Sequence, residues 1–160
     1  MIVLVLLLAT AAFRGLGVLG VRRYGEWRVA AAHGMAVMLL FTASAHFVPA
    51  GVTVMPTHED LVAMVPPFLP YADGLVYLTG VLEFLGAAGL VLTATRRLAA
   101  AALALLFVLL LPANIYAAVA DVSEASPLWQ RIPEQLLYIA CALWVAGVKT
   151  KIKTKEEVSV

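Results

Sequence analysis

The chain has a single cysteine, Cys141, so no internal disulfide can form and no CxxC pair is present for dithiol exchange. Charge is scarce as well, at 13% of residues against roughly 25% in a typical soluble domain. No basic patch interleaved with aromatics occurs, so the usual footprint of nucleic-acid binding is missing. Heptads, low-complexity blocks and internal repeats are absent. No apolar segment alternates with period two, which excludes an all-β chain. Paired-histidine spacing is missing, so no metal site is assigned, and no nucleophile elbow marks a hydrolase.

What the chain has in abundance is apolar surface: 63% of residues are hydrophobic and mean hydropathy is +0.97. This composition belongs to an all-α integral membrane protein. Five apolar runs, at about 2–19, 29–49, 73–93, 98–120 and 132–148, each approach the roughly 20 residues a spanning helix needs. The first lacks a basic n-region and its arginines follow it, so it reads as a retained span rather than a signal peptide. Arg22, Arg23, Arg28, Arg96, Arg97, Lys149, Lys151, Lys153 and Lys155 then fall on one side of the membrane, and the opposite loops carry only Arg131. The positive-inside rule predicts a cell-membrane protein with its N-terminus outside and a cytoplasmic tail, 149–160.

One carboxylate, Glu83, interrupts the third run near its middle. Gly80, Glu83, Gly86 and Ala87 share a helix face. A charge at a bilayer centre costs about 2.5–3.5 kcal/mol on insertion scales, so Glu83 is expected to face protein or a cavity. Its hydrogen-bond partners are expected across the bundle, from Asn114 and from His46 or Tyr138. His46 lies near the outer end of the second span, with Thr42 one turn deeper on the same face. A lone histidine there is also explained by a hydrogen bond to a backbone carbonyl. Asn114 follows Pro112, which removes a donor from the carbonyl of Val108, so Asn114 serves either a site or the repair of a kink. Glu134, Tyr138 and Cys141 descend one stripe of the last span, although Glu134 is equally accounted for by the helix dipole. The outer loop 50–72 opens a short helix capped by Thr57 and Asp60, then runs through Pro66-Pro67-Phe68-Leu69-Pro70-Tyr71. That run is expected to be a lid over an outward-facing polar pocket, or an interfacial anchor. The candidate site is therefore Glu83 and His46 as proton-relaying groups, with Asn114, Glu134, Tyr138, Thr42 and Phe68 as ligand-binding residues.

Ala45-His46-Phe47, Met64-Val-Pro-Pro-Phe-Leu-Pro-Tyr71, Leu75 to Glu83, Thr95-Arg96-Arg97-Leu98-Ala99, Pro112-Ala113-Asn114-Ile115-Tyr116 and Arg131-Ile-Pro-Glu-Gln135 form a set. Together they resemble the DoxX family of small bacterial membrane proteins. The resemblance covers about 33–148 and implies a four-helix transmembrane bundle, here with one additional N-terminal transmembrane helix. It implies a membrane subunit of a redox system, with a quinone as the candidate ligand and a soluble redox enzyme as the candidate partner. A non-catalytic lipid- or partner-binding assembly protein is the alternative. Oligomeric state is left open.

Overall fold

The computed structural model describes residues 1–120, 122 and 127–147. The tail 149–160 assigned above to the cytoplasm lies outside them. Among the described residues the chain is entirely helical. Its α-helices are α1 (Ile2–Val18), α2 (Trp27–Ala45), α3 (His58–Ala63), α4 (Ala72–Val91), α5 (Arg96–Val119) and α6 (Leu128–Ala146), with a single 3-10 turn at Arg22–Tyr24. Three of them, α2, α4 and α5, are long and apolar enough to cross a membrane. The 17-residue α1 is apolar but shorter. The first half of α6 carries Gln130, Arg131, Glu134 and Gln135, which dilutes its apolar character.

The packing follows from where small residues fall. α2 is the most buried helix, with Ala30, Ala31, Ala32, Ala36 and Ala43 at its contacts. Small side chains let helix backbones approach closely, and in hydrocarbon that close packing replaces the hydrophobic effect as the drive to associate. α1 lies along α2, α2 along α4, α4 along α5 and α5 along α6, and a thinner contact returns from α6 to α2. Gly34 is where α1 touches α2, against the backbone and side chain of Thr10. The core between the helices is Met35, Met38, Leu39, Leu90, Leu103, Phe107 and Val145, all nearly or fully buried.

Arginines finish the helices at one end of the molecule. Arg23 Nη2 donates to the Val91 carbonyl at 2.7 Å, and Arg96 donates to Leu90 and Val91 at 2.9 and 3.2 Å. Arg97 Nε donates to Ala146 at 3.1 Å. The last carbonyls of α4 and α6, which have no partner within their own helices, thus receive charged donors at the negative end of the helix dipole.

At the opposite end α3 stands on a capping box. The Thr57 N–H and hydroxyl donate to Asp60 at 2.8 and 2.7 Å, and the Asp60 N–H donates back at 3.3 Å. Those two bonds, the backbone one first, hold the Asp60 carboxyl below the usual carboxylate range.

Candidate functional site

Glu83 projects from α4 toward α2 and is 5% exposed. Its Oε2 accepts a 2.6 Å hydrogen bond from the Thr42 hydroxyl. Thr42 could also donate to the Leu39 carbonyl, at 3.2 Å, but it has one proton and the shorter contact is to the carboxylate. Glu83 Oε1 lies 3.8 Å from His46 Nε2, too far for a direct hydrogen bond and close enough for one bridging atom.

The other imidazole nitrogen fixes the tautomer. His46 Nδ1 lies 2.7 Å from the Val76 carbonyl, which can only accept, so Nδ1 carries hydrogen. Thr79 stands 3.3 Å away and directs its hydroxyl to the carbonyls of Leu75 and Val76, reinforcing that assignment. Nε2, facing Glu83, is therefore the nitrogen that gains or loses a proton. The two readings of His46, a carbonyl-bonded histidine and a partner of the carboxylate, hold together through its two nitrogens.

Gly80 makes this approach possible. A Cβ there would stand 2.5 Å from the His46 Cβ and 2.9 Å from the Phe47 ring. α2 ends at Ala45, so His46 is the cap residue of the helix rather than part of a span running to 49.

Two residues absent from the sequence-based site join the structure around it. His58, the first residue of α3, donates from Nδ1 to the His46 carbonyl at 2.8 Å and stacks on Tyr77 with ring centroids 4.1 Å apart. Its Nε2 is 3.4 Å from Asp73. His58 thereby fastens the outer loop directly above the Glu83–His46 pair. The second is Gln135, 6% exposed, whose Nε2 donates to the Phe107 carbonyl at 2.9 Å. This carbonyl is next to that of Val108, which Pro112 leaves without its donor, so polar support near Pro112 in α5 comes from α6.

The remaining candidates stand apart. Asn114 is half-buried and makes no side-chain hydrogen bond among the described residues, so Glu83 draws its contacts from α2 instead. Glu134 accepts from Gln130 within its own helix at 3.0 Å. Tyr138 packs on Phe107 with centroids 6.0 Å apart. The inward stripe of α6 is Gln135, Ala142, Val145 and Ala146, rotated by one residue from Glu134, Tyr138 and Cys141. Phe68 is 77% exposed, while Pro66 of the same run is fully buried. Among the described residues no three His, Cys, Asp or Glu side chains gather as for a metal ion.

Among the described residues, two of the grooves that indent the bundle are apolar. One, of about 320 Å³, lies between α1, α2 and α6; the other, of about 340 Å³, lies between α4 and α5. Neither is lined by Glu83 or His46.

A family model described as a domain of unknown function, DUF8561, matches residues 35–146, most of the chain. The chain belongs to this family. The DoxX resemblance is thereby corrected: the family model that matches this chain is a different one. No curated protein and no solved structure gave a match. The DUF8561 match contains Thr42, His46, His58, Glu83 and Gln135, and leaves α1 and the first two turns of α2 outside it.

Proposed function

We propose that the protein crosses the cell membrane five times, with α1 as an added span beside a four-helix ring of α2, α4, α5 and α6. The N-terminus is outside and the C-terminus cytoplasmic. The gathering of Arg22, Arg23, Arg28, Arg96 and Arg97 about one end supports this orientation. Cysteines placed at the exposed positions Glu59 and Arg22 test it. An impermeant maleimide added to intact cells is expected to label position 59 and spare position 22; the reverse pattern inverts the topology.

In this frame the Glu83–His46 pair exchanges a proton with the outer side. Its role is in a membrane redox system whose apolar carrier, of the quinone class, takes up or releases protons along with electrons. The observation that carries the reading is the Val76 carbonyl on His46 Nδ1, which leaves Nε2 as the titrating nitrogen opposite a buried carboxylate. His58 and Asp73 continue a line of titratable groups to the exterior. Proton release after a pH jump, measured on purified protein, is expected to fall by one per chain in both Glu83→Gln and His46→Gln. Undiminished release from Glu83→Gln sinks the proposal.

A second reading has its own support. α2 and α4 close tightly over the pair at Gly80, and neither groove reaches it. That geometry favours a non-catalytic assembly protein in which the polar cluster joins two helices. Mass spectrometry of small molecules carried through purification separates the two: a quinone supports the first, a co-purifying protein without ligand the second.

A further inference from the structure

The apolar groove between α1, α2 and α6 runs out at its arginine-rich end into a cationic and aromatic rim. Its floor is Ala31, and its walls include Leu7 and Thr10 of α1 and Ala140 and Trp144 of α6. Helix periodicity carries each wall onward. Arg14 follows Thr10 by one turn on α1, Trp27 precedes Ala31 by one turn on α2, and Gly147 follows Trp144 by three residues. Trp27 and Gly147 each meet arginines. The Arg14 guanidinium lies over the Trp27 ring, 5.4 Å from its centroid. Arg28 and Arg97 flank Gly147, with guanidinium nitrogens 3.4 and 3.5 Å from where a side chain's first carbon would stand.

Two features of this rim are unexplained by folding. Arg14 Nε is shielded from solvent and has no hydrogen-bond partner among the described residues. Trp27 is 57% exposed beside it, although tryptophan is a large apolar side chain. An arginine guanidinium beside an indole suits an anionic phosphate at the membrane interface, where both residue types are favoured. The groove volume of about 320 Å³ falls at the low end of the roughly 300–1,000 Å³ of ligand sites, and its lining is almost wholly apolar.

We infer that this groove is a binding site for one anionic diacyl phospholipid. One acyl chain lies between α1 and α6 on Ala31, and the phosphate rests on Arg14 and Arg28. The juxtaposition of an apolar groove with cations that have no acidic partner among the described residues assigns the occupant. A partner helix would fill the groove without using the arginines, and a free anion would use the arginines without the groove.

Native mass spectrometry of the full chain in detergent tests this, with phosphatidylglycerol and phosphatidylcholine of identical acyl chains as probes. The readout does not depend on which leaflet the rim faces, nor on the proton chemistry of Glu83. Phosphatidylglycerol adducts are expected at least tenfold more abundant than phosphatidylcholine adducts. Arg14→Gln with Arg28→Gln should bring the two lipids level. Ala140→Phe, a change at an exposed position that fills the groove, should remove both. Arg22→Gln, which alters a basic residue away from the groove, should leave the preference intact. Equal adducts in the wild type overturn the inference. So does an equal loss in Arg22→Gln, a wild-type preference that survives Ala140→Phe, or a lipid-free dimer.

Discussion

Gly80→Val is expected to leave little folded protein in detergent, with a large fall in melting temperature. The Cβ alone would stand 2.5 Å from His46 Cβ and 2.8 Å from its Cγ, with the Phe47 ring 2.9 Å away. The branched methyls of valine add to that overlap. Relief cannot come from a rotamer change, since the nearest atom is a Cβ fixed to the backbone of α2. Either α2 or α4 has to move, and both are held on their other sides, α2 by α1 and α4 by α5. Overpacking a tight contact costs about 1–3 kcal/mol, and here the shift also draws Thr42 from Glu83 and His46 from the Val76 carbonyl. Gly74→Ala is the control. Its new Cβ meets only Tyr71, at 3.9 Å, so thermal stability should hold. If Gly80→Val melts with the wild type, the close crossing of α2 and α4 is wrong.

Glu83→Leu is expected to fold and to melt near or above the wild type while losing the exchangeable proton. Burial of a carboxyl group costs free energy unless its hydrogen bonds repay it. Among the described residues one direct hydrogen bond reaches Glu83, from Thr42. In the Leu variant Thr42 keeps a nearby acceptor in the Leu39 carbonyl, and His46 keeps its bond to Val76. Interhelical hydrogen bonds in membranes contribute about 0.6 kcal/mol on average, too little to make one such bond decide the fold. Thermal melting and proton counting on the same sample check the separation. An unfolded Glu83→Leu, with Glu83→Gln intact, would make the carboxylate position a structural joint and remove the case for proton exchange.

The helices were legible because apolar length needs no tertiary information, and their observed ends at Val18, Ala45, Val91, Val119 and Ala146 fall within four residues of those read from composition. Glu83 was legible for a related reason: a lone carboxylate in hydrocarbon stands out against its surroundings. Its partners were harder. Sequence order does not say which neighbour a helix turns its polar face toward, so Asn114 on α5 is the partner the sequence suggests for Glu83, and Thr42 on α2 is the one the structure supplies. The deciding residue is Gly80, whose missing side chain admits His46, and a glycine inside an apolar helix signals close approach without naming the partner. Gln135 was missed because Glu134, one position earlier, carried the more conspicuous charge; a one-residue step turns a helix face by about 100°. His58 was passed over because its partners, the His46 carbonyl and Asp73, are brought together only by the closure of the outer loop.

The arginines that close the ends of α4 and α6 have a bearing on how such a chain could change over time. Arg23, Arg96 and Arg97 are among the positive residues from which orientation in the bilayer is read, and they also hold the final carbonyls of two helices. A lineage that relocated these charges to invert its insertion would fray the helix ends they finish. In the proposed topology, orientation would thus be tethered to helix integrity, one set of charges serving both.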